Sequence, residues 1–599
     1  LADALGGPRG IFSVVFLFSF VNYHRSDPTE YLTISLAWAL FVALRPLETL
    51  AELWRRWGLV WTDRRIATRL GEVVCHEAPN ILVLQEDPMS SAQFGEILLA
   101  RTESGDPGLV IALDQVGFAG GRWRRAIVMN RPSGDANALY DASLAGAVSD
   151  GSVFRLDSTV LPDQTMLVAH HLGNRLIGIV ASDSDISQLQ IELVRTDVDL
   201  HEGSLVEVEV RDNPVLCQII NGLTKEEVLR ERNARGFVRA HAKKIGRWNQ
   251  VSCAFDPVPW LPLPNQPVLV ANREDGELGA QAVGCFPATT YPITIDPHLL
   301  VTQNAAILGI LGVGKTFLAL ELIERMLAVG IKVVCLDLTD QYATELGSFL
   351  DEAAEAEVLK ELEAVGPPGK SNVQQNVEEG GSARVFAAKV GEQIEAFLKP
   401  DSKRSLMILN PAQFEVWRQD SRPFNNNASM AALTPTEITR IITEALLKTL
   451  QSKGMTESAR CCIVYEEAHS LIPEWNAVSS EGDRAATNGT AKAILQGRKF
   501  GLGCLVITQR TANVTKSILN QCNTVFALRV FDATGMEFLK NYVGEDYASI
   551  LSTLDDRHAV VFGRASSCRD PVLTRLNDRA DFLRRFRPVP TTEIASTAG

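Results

Sequence analysis

The stretch that decides the fold of this 599-residue chain reads Gly-Ile-Leu-Gly-Val-Gly-Lys-Thr, from Gly309 to Thr316. It fits the phosphate-binding pattern G-x-x-x-x-G-K-[ST], in which glycines let backbone N–H groups curl around phosphate oxygens. An apolar run, Ala305–Ile310, precedes it, and an amphipathic helical pattern, Thr316–Val329, follows it. This strand–loop–helix context predicts a P-loop that binds and hydrolyses ATP. The alternative is a degenerate loop that binds nucleotide without hydrolysing it.

Each part of this loop has an expected task in nucleotide binding. Lys315 is expected to reach the β- and γ-phosphates, and Thr316 to bind Mg²⁺. The N-terminus of the helix that follows adds its positive dipole. The expected nucleotide contacts are Gly309, Gly312, Val313, Gly314, Lys315, Thr316 and Phe317. The predicted cofactors are therefore ATP and Mg²⁺.

A second apolar run, Cys461–Tyr465, ends in two acids, Glu466 and Glu467. A buried strand that ends in carboxylates is the expected second half of a P-loop site. Glu466 is predicted to hold Mg²⁺, directly or through water, and Glu467 to orient and polarise the attacking water. The alternative is a pair of solvated acids at a strand end.

A third apolar run, Cys504–Thr508, ends in Gln509, which we predict to sense the γ-phosphate. The alternative is an ordinary amide at a strand end. Before that run, Arg498 and Lys499 close a helical pattern. Either cation is placed to point across a subunit interface at a neighbour's γ-phosphate, or simply to answer the dipole of its own helix.

The composition is that of a globular protein, with 46% hydrophobic and 22% charged residues. Short strand-like runs dominate before Pro287, whereas strands alternate with helices after Pro297, which predicts a parallel sheet covered on both faces. The predicted fold class is α/β: a RecA-like P-loop NTPase core with a mostly parallel sheet, preceded by a small β-barrel domain and a region of uncertain structure. The predicted domains are an apolar helical region at 1–62, a mixed α/β or β domain at 63–161, a β-barrel at 162–290, the ATPase domain at 291–585 with an insertion at about 345–403, and a disordered tail at 586–599.

Two apolar runs lie near the N-terminus, within residues 10–44, with arginines on both outer flanks. This pattern suits a membrane hairpin with both ends in the cytosol. The alternative is a buried helical pair or an interface that lacks its partner, because each run is short for a span. We therefore expect a cytoplasmic protein, either free or attached to the inner face of the cell membrane.

The formal net charge of −14 argues against a uniformly basic nucleic-acid binder, although a local basic channel remains compatible with it. The strongest basic cluster, called here the basic segment, consists of Arg230, Arg232, Arg235, Arg239, Lys243, Lys244 and Arg247. It faces DNA or a partner nuclease in one interpretation and is a solvated face of a strand or helix in the other. No base-reading pattern is visible, so any DNA contact is expected at phosphates.

Several of these stretches together resemble the HerA branch of the HerA/FtsK superfamily. The resemblance extends over roughly Gln164 to Asp581 and rests on Glu466–His469, Gln496–Gly503, Thr508–Arg510 and Asn520–Thr524. The run from Asp337 to Tyr342 stands where that family often has Asp-Pro-His-Gly-Glu-Tyr, and it keeps the Asp and the Tyr. The first loop also differs, with Leu-Gly-Val-Gly where the family more often has Thr-Gly-Ser-Gly.

The resemblance implies a homohexameric ring with ATP at subunit interfaces and double-stranded DNA in the channel. It also favours Arg498 as the arginine supplied to a neighbour. The leading hypothesis is an ATP hydrolase that translocates or unwinds DNA with a partner nuclease or effector, in DNA processing or anti-phage defence. Two alternatives stay open: a nucleotide-gated hexameric scaffold that activates an effector, and a membrane-anchored DNA pump.

Overall fold

The computed structural model describes residues 67–586, with gaps at 78, 119–120, 130–135, 145–150, 157–172, 196, 211–212, 226–236, 260, 272–277, 366–381, 421–428 and 478–479. Before residue 67 it describes only 16, 18–22, 29–30, 32–36 and 38. Residues 587–599 of the tail predicted at 586–599, and most of 10–44, therefore lie outside the described residues, whereas Phe586 is the last residue of a helix. The chain divides into two compact units, one formed by 1–174 with 228–234 and the other by 175–227 with 235–599.

The first unit contains a closed six-stranded barrel in the order β1-β2-β5-β4-β3-β6. Its strands are β1 Ala67–Glu77, β2 Ile81–Glu86, β3 Ile97–Arg101, β4 Pro107–Phe118, β5 Gly121–Val128 and β6 Ser152–Leu156. One helix, α1 Ala136–Leu144, accompanies it. The region that the sequence left open between mixed α/β and β is thus a second small barrel, in addition to the one predicted for 162–290.

The second unit begins with seven further strands, in the order β10-β9-β13-β7-β8-β11-β12. Their bounds are β7 Leu176–Val180, β8 Gln188–Leu193, β9 Leu205–Val210, β10 Asn213–Lys225, β11 Phe237–Asn249, β12 Ala254–Asp256 and β13 Pro267–Val270. An additional antiparallel pairing connects β10, at one end of this order, to β11, the last strand but one at the other end. The six strands other than β12 therefore close into a ring, as expected for a small barrel.

A ten-stranded sheet follows, in the order β15-β14-β25-β24-β23-β16-β22-β21-β17-β18. Its strands are β14 Ala282–Cys285, β15 Pro292–Thr294, β16 Ala305–Leu308, β17 Lys332–Leu336, β18 Leu406–Leu409, β21 Cys461–Tyr465, β22 Leu502–Thr508, β23 Thr524–Ala527, β24 His558–Phe562 and β25 Val572–Leu576. Every pairing from β23 to β18 is parallel, whereas those from β15 to β23 are antiparallel. Two short strands, β19 Trp417–Asp420 and β20 Ser429–Ala432, pair separately.

The parallel strands are almost wholly apolar because the sheet is covered on both faces. Alternate residues along a strand point to opposite faces. Along β21, Ile463 and Tyr465 belong to one buried cluster, and Cys462 and Val464 belong to the other. Each face of the sheet therefore has its own core, and the carboxyl ends of the strands form a single edge where polar residues follow.

The helices that cover these faces begin and end at recognisable residues. The helix that begins at Pro435, for example, is preceded by Thr434, which forms a reciprocal capping box with Glu437. The helices are α2 Pro297–Thr302, α3 Lys315–Ala328, α4 Tyr342–Glu345, α5 Glu352–Glu363, α6 Ala383–Phe397, α7 Pro435–Ser452, α8 Ala468–Leu471, α9 Glu481–Gly497, α10 Lys516–Leu519, α11 Ala533–Ile550 and α12 Arg579–Phe586.

Two expectations change at the margins of this sheet. The run Gly279–Phe286, grouped with the barrel from its sequence, contains β14, which pairs with β25 at the edge of the ten-stranded sheet. The stretch at about 345–403, interpreted as an insertion, contains α5 and α6, whose Val358, Leu362 and Phe386 lie in the core beside the sheet. It is therefore a connection between the neighbouring strands β17 and β18.

Within the described residues, no helix is both long enough and apolar enough to cross a membrane.

Candidate nucleotide site

The loop from Gly309 to Gly314 joins β16 to α3 and is anchored on both sides. Gly309 N–H donates to the Thr508 carbonyl at the end of β22, at 3.3 Å, and Ile310 N–H donates to the Arg529 carbonyl after β23, at 2.9 Å. These bonds hold the loop between the two strands that flank β16. The loop therefore stands at the carboxyl edge of the parallel sheet, where ligands bind in open α/β folds.

Two glycines are required by the path of this loop. Gly312 and Gly314 have φ values of 85° and 103°, in the left-handed region that side chains with a Cβ disfavour. Val313, between them, is buried in the core. Phe317 is 50% exposed on the first turn of α3, and Thr316 is half-buried. The backbone is thus shaped as a phosphate-binding loop requires.

Lys315 faces the acids that the sequence paired with it. Its Nζ donates to the Ile310 carbonyl at 2.6 Å, within the loop. Burial lowers the pKa of Lys315, while the charges of Glu467 and Glu466 raise it. The two acids are therefore close enough to act on Lys315 electrostatically, although they lie more than a hundred residues further along the chain.

Glu466 is almost fully buried directly after β21, with 6% of its surface exposed. Burial is the main cause of a rise in its pKa to about 7, to which neighbouring Glu467 and Asp337 also contribute. The hydroxyl of Tyr342 donates to its Oε2 at 2.6 Å, which lowers the pKa. A buried carboxylate of this kind binds a cation readily, because the cation replaces the lost solvation.

Glu467 has an unusual backbone, with φ 49° and ψ 51° at the start of α8. A non-glycine residue in this region is uncommon and concentrates at functional sites. Its Oε1 accepts a 2.7 Å hydrogen bond from Gln509 Nε2. Its Oε2 is buried without a hydrogen bond, and His469 Nδ1 lies 3.3 Å from it. One carboxylate oxygen is therefore held and the other is available.

Gln509 follows β22, whose parallel register aligns Thr508 with Leu308 at the end of β16. This register places Gln509 beside the P-loop, and its amide reaches Glu467. His469, by contrast, was not among the predicted site residues. It lies between Glu467 and Thr508 Oγ1, at 3.3 Å and 3.4 Å. Its position in the motif Glu-Glu-Ala-His was the one signal for it in the sequence.

Arg498 is not brought to this site within the same chain. It is exposed in the turn Arg498–Phe500, which precedes β22. The P-loop lies at the opposite end of that strand, about 20 Å away at the usual rise of 3.3 Å per residue. Among the described residues, its guanidinium makes no hydrogen bond or ion pair. Only a contact between subunits would bring it to a phosphate.

Arg557 is a neighbour of the P-loop that the sequence did not predict. Its N–H donates to the Val313 carbonyl at 3.1 Å, and its backbone has φ 61°. A Cβ on Gly314 would lie 3.4 Å from its Cγ. The guanidinium pairs with Asp578 at 2.7 Å. Arg557 therefore supports the loop through backbone and packing contacts. It stands directly before β24, outside any motif, so no local sequence pattern indicates this role.

The residues present fit ATP and Mg²⁺. The hydrogen-bond-free Oε2 of Glu467 and the buried carboxylate of Glu466 stand beside Lys315 at the strand ends. Oxygen atoms are the ligands that Mg²⁺ prefers, and it commonly takes one or two from a protein and the rest from phosphates and water. Thr316 and Glu466 are the residues that would hold it.

The described members of the basic segment have partners inside the protein. They lie on strand β11 rather than on a helix. Lys243 pairs with Asp546 at 2.8 Å, Lys244 donates to the Val258 carbonyl at 2.6 Å, and Arg247 donates to Asn213 at 2.9 Å. Arg230, Arg232 and Arg235 lie outside the described residues. This part of β11 is therefore a structural face of the barrel.

Residues 281–422 match the family described as "Helicase HerA, central domain". A DNA double-strand break repair helicase HerA of Sulfurisphaera tokodaii is 24% identical over 162 residues, which are 25% of this chain and 31% of that protein. The protein of the same name from Pyrococcus furiosus is 26% identical over 136 residues, 22% of this chain and 23% of that protein. The chain thus spans less than a third of the length of either relative.

Among solved structures, VirB4 of Thermoanaerobacter pseudethanolicus aligns at 12% identity and a TM-score of 0.30, covering 52% of this chain and 98% of that one. The resemblance to HerA-type ATPases, noted above from motifs at strand ends, is confirmed, and residues 281–422 are the part of the chain that matches the HerA central domain.

Proposed function

We propose that this chain is an ATP hydrolase of HerA type that moves double-stranded DNA through a homohexameric ring. It would act with a partner nuclease or another effector, in DNA processing or defence against foreign DNA. The observation that carries the proposal is that Lys315 follows β16 while Glu466 and Glu467 follow β21, at the same carboxyl edge of the parallel sheet. A P-loop that faced no acids would bind nucleotide without a base for hydrolysis.

We further infer that the core is RecA-like. The support is the strand order β23-β16-β22-β21-β17, in which the P-loop strand β16 lies between two strands that come later in the chain. The acid-bearing β21 is then one strand removed from β16, with β22 and its Gln509 between them.

Each residue has a defined task in the proposed reaction. Lys315 and the loop N–H groups bind the phosphates, and Glu467 accepts a hydrogen bond from the attacking water and takes its proton. Gln509 holds Glu467 by the oxygen that it already contacts. Magnesium, when bound at Thr316 and Glu466, would neutralise charge on the phosphates. Arg498 of a neighbouring subunit would stabilise charge that develops in the transition state.

Support for DNA as the substrate comes from the matched relatives, which are named as DNA double-strand break repair helicases. The described cations of the basic segment do not add to it, because they are paired within the protein. The DNA contact we propose is therefore sequence-independent and directed at phosphates.

The test is the rate of ATP hydrolysis by the purified protein with and without linear duplex DNA. We expect a severalfold increase with DNA, and a stimulation that weakens as salt rises, because phosphate contacts release counterions. Lys315→Ala serves as the control for contaminating ATPases. An equal rate with and without DNA at low salt would contradict the translocase.

A second candidate is the nucleotide-gated scaffold, and one observation favours it. Buried Gln218 connects the barrel to the C-terminal part of the ATPase. It forms hydrogen bonds with the backbone of Leu573 and accepts one from the Tyr547 hydroxyl at 3.1 Å. Lys243 adds an ion pair to Asp546 on the same helix. Nucleotide-driven motion of α11 would thus be transmitted to the barrel through these contacts. This candidate predicts that ATP drives assembly of the subunits and that DNA does not stimulate ATP hydrolysis. The particle mass of the same purified protein, measured with and without ATP, tests the assembly.

A further inference from the structure

The hydrogen bond from Tyr342 to Glu466 connects two elements that are distant in sequence. Tyr342 is fully buried at the start of α4, after β17, and Glu466 follows the neighbouring parallel strand β21. The hydroxyl oxygen and Glu466 Oε2 are 2.6 Å apart. Glu466 Oε1 accepts no hydrogen bond from the described residues. The tyrosine therefore fixes one oxygen of the carboxylate and leaves the other unengaged.

Asp337 fixes the tyrosine in turn. This aspartate is fully buried at the end of β17, and its Oδ2 accepts from Tyr342 N–H at 2.9 Å. Its Oδ1 accepts from both the N–H and the hydroxyl of Thr339, at 2.8 Å and 2.6 Å. The carboxylate thus binds both ends of a short loop. The loop cannot shift without breaking three bonds to a buried charge, which is costly.

The residues between these two anchors play no comparable part. Asp340 and Gln341 are exposed, and Asp340 has a left-handed backbone with φ 57°. Asp340 Oδ1 accepts at 2.9 Å from Asn410, which directly follows β18. The two residues retained from the family-like run are therefore the two that reach inward, toward Glu466.

We propose that Tyr342, anchored by Asp337, is a positioning residue for Glu466 that holds its carboxylate ready for the magnesium ion of a bound nucleotide. The inference rests on the proposed function, since it presumes Glu466 as a magnesium ligand. Residues that hydrogen-bond a metal ligand orient it, and their loss typically lowers metal affinity about 10- to 100-fold.

The alternative is that Tyr342 is simply a core residue, because its ring packs in a large apolar cluster. Tyr465 provides a matched comparison. It is equally buried, stands one residue before Glu466, and bonds through its hydroxyl to Thr443 Oγ1 at 3.0 Å. Removing either hydroxyl disturbs a buried bond, yet only Tyr342 touches the carboxylate.

The experiment measures binding of a fluorescent ADP analogue as Mg²⁺ is titrated, in wild type, Tyr342→Phe and Tyr465→Phe. We expect Tyr342→Phe to need about 10-fold more Mg²⁺ for half of the Mg²⁺-dependent gain in affinity. Its affinity in chelator should equal that of wild type, and Tyr465→Phe should match wild type in both measurements. Asp337→Asn should move the Mg²⁺ requirement in the same direction, and it replaces Tyr342→Phe if that variant does not fold.

An unchanged Mg²⁺ requirement in Tyr342→Phe, or an equal change in Tyr465→Phe, would overturn the inference while leaving the proposed function intact. The Lys315→Ala variant distinguishes failure of this inference from failure of the proposed function. If wild type binds the analogue no better than Lys315→Ala does, the proposed function fails and this inference fails with it.

Discussion

The residues that we propose for the chemistry lie at the strand ends, and Glu467 shows how closely they are arranged. Its left-handed backbone turns the chain sharply after β21. Gln509 holds one of its oxygens, and His469 lies beside the other. The sequence predicted Gln509 to sense phosphate. Its hydrogen bond to Glu467 adds the proposed task of holding that carboxylate in place.

At the same scale, the burial of Glu466 predicts a pH-dependent stability. Burial raises its pKa to about 7, from an ordinary value of 4.5. The folded state therefore binds this proton more tightly than the unfolded chain, and the resulting stabilisation is present at low pH and lost as the pH rises through 7. In chelator and without nucleotide, Glu466→Gln should melt about 2–4 °C above wild type at pH 8.

The control for this prediction is the same comparison at pH 5, where the carboxyl is protonated and the two proteins should melt together. The glutamine oxygen still accepts from Tyr342, so the buried bond is preserved. A melting difference that is constant from pH 5 to pH 8 would show that Glu466 does not titrate in this range.

The site residues that belong to short sequence motifs were predictable. The residues whose contacts join elements distant in sequence were not. Lys315, Thr316 and the acid pair follow from motifs at strand ends. Tyr342 lies 124 residues before Glu466, and Arg557 touches the P-loop from the start of β24. Their roles depend on which strands are neighbours, and no periodicity in the sequence states that order.

At the scale of elements, β22 shows how tightly the sheet packs against helix α2 at the end of the strand opposite the site. A Cβ at Gly503 would lie 1.8 Å from the Val301 carbonyl oxygen, in helix α2. Backbone thus approaches backbone where β22 begins. A glycine is required at position 503 by this close approach of two backbone segments, and not by a turn.

Gly503→Ala should therefore destabilise the protein by about 3 kcal/mol or more, because the nearest atom belongs to backbone and cannot rotate away. The matched control is Gly391→Ala in helix α6, where an added Cβ meets nothing within 4 Å. That change should stabilise by roughly 0.5–1 kcal/mol through helix propensity. Denaturant midpoints measure both, and a Gly503→Ala protein as stable as wild type would show the packing to be looser than described.

The elements themselves were predictable where their pattern is strong. Cys461–Tyr465 has the predicted bounds, because an unbroken apolar run is a local signal. The antiparallel edge was missed since β14 and β15 are only four and three residues long. Closure of the first barrel also depends on the pairing of β1 with β6, and no short-range signal specifies it.

At the scale of the whole molecule, the position of Arg498 links the site to assembly. It lies at the far edge of the sheet from its own P-loop, so it would act only on a neighbour's nucleotide. An arginine supplied in this way typically raises turnover by about 10³- to 10⁵-fold. The proposed ring would therefore hydrolyse ATP rapidly only when subunits are in contact.

Mixing inactive subunits tests this arrangement. Arg498→Ala and Glu467→Gln should each be nearly inactive alone, since each removes one half of a shared site. In mixed rings, an intact Glu467 from one variant meets an intact Arg498 from the other, so activity should exceed that of either. Lys499→Ala, a neighbouring exposed cation, is the control and should remain active. A mixture that never exceeds the average of its components would place Arg498 outside the site.

The central claim is that the P-loop and the acid pair form one hydrolytic site, and a single comparison of ATP binding with ATP turnover tests it most directly. Lys315→Ala should neither bind nor hydrolyse. Glu467→Gln should bind ATP about as tightly as wild type and turn over at least about 100-fold more slowly, because it lacks only the base. Turnover of Glu467→Gln at the wild-type rate would contradict the account.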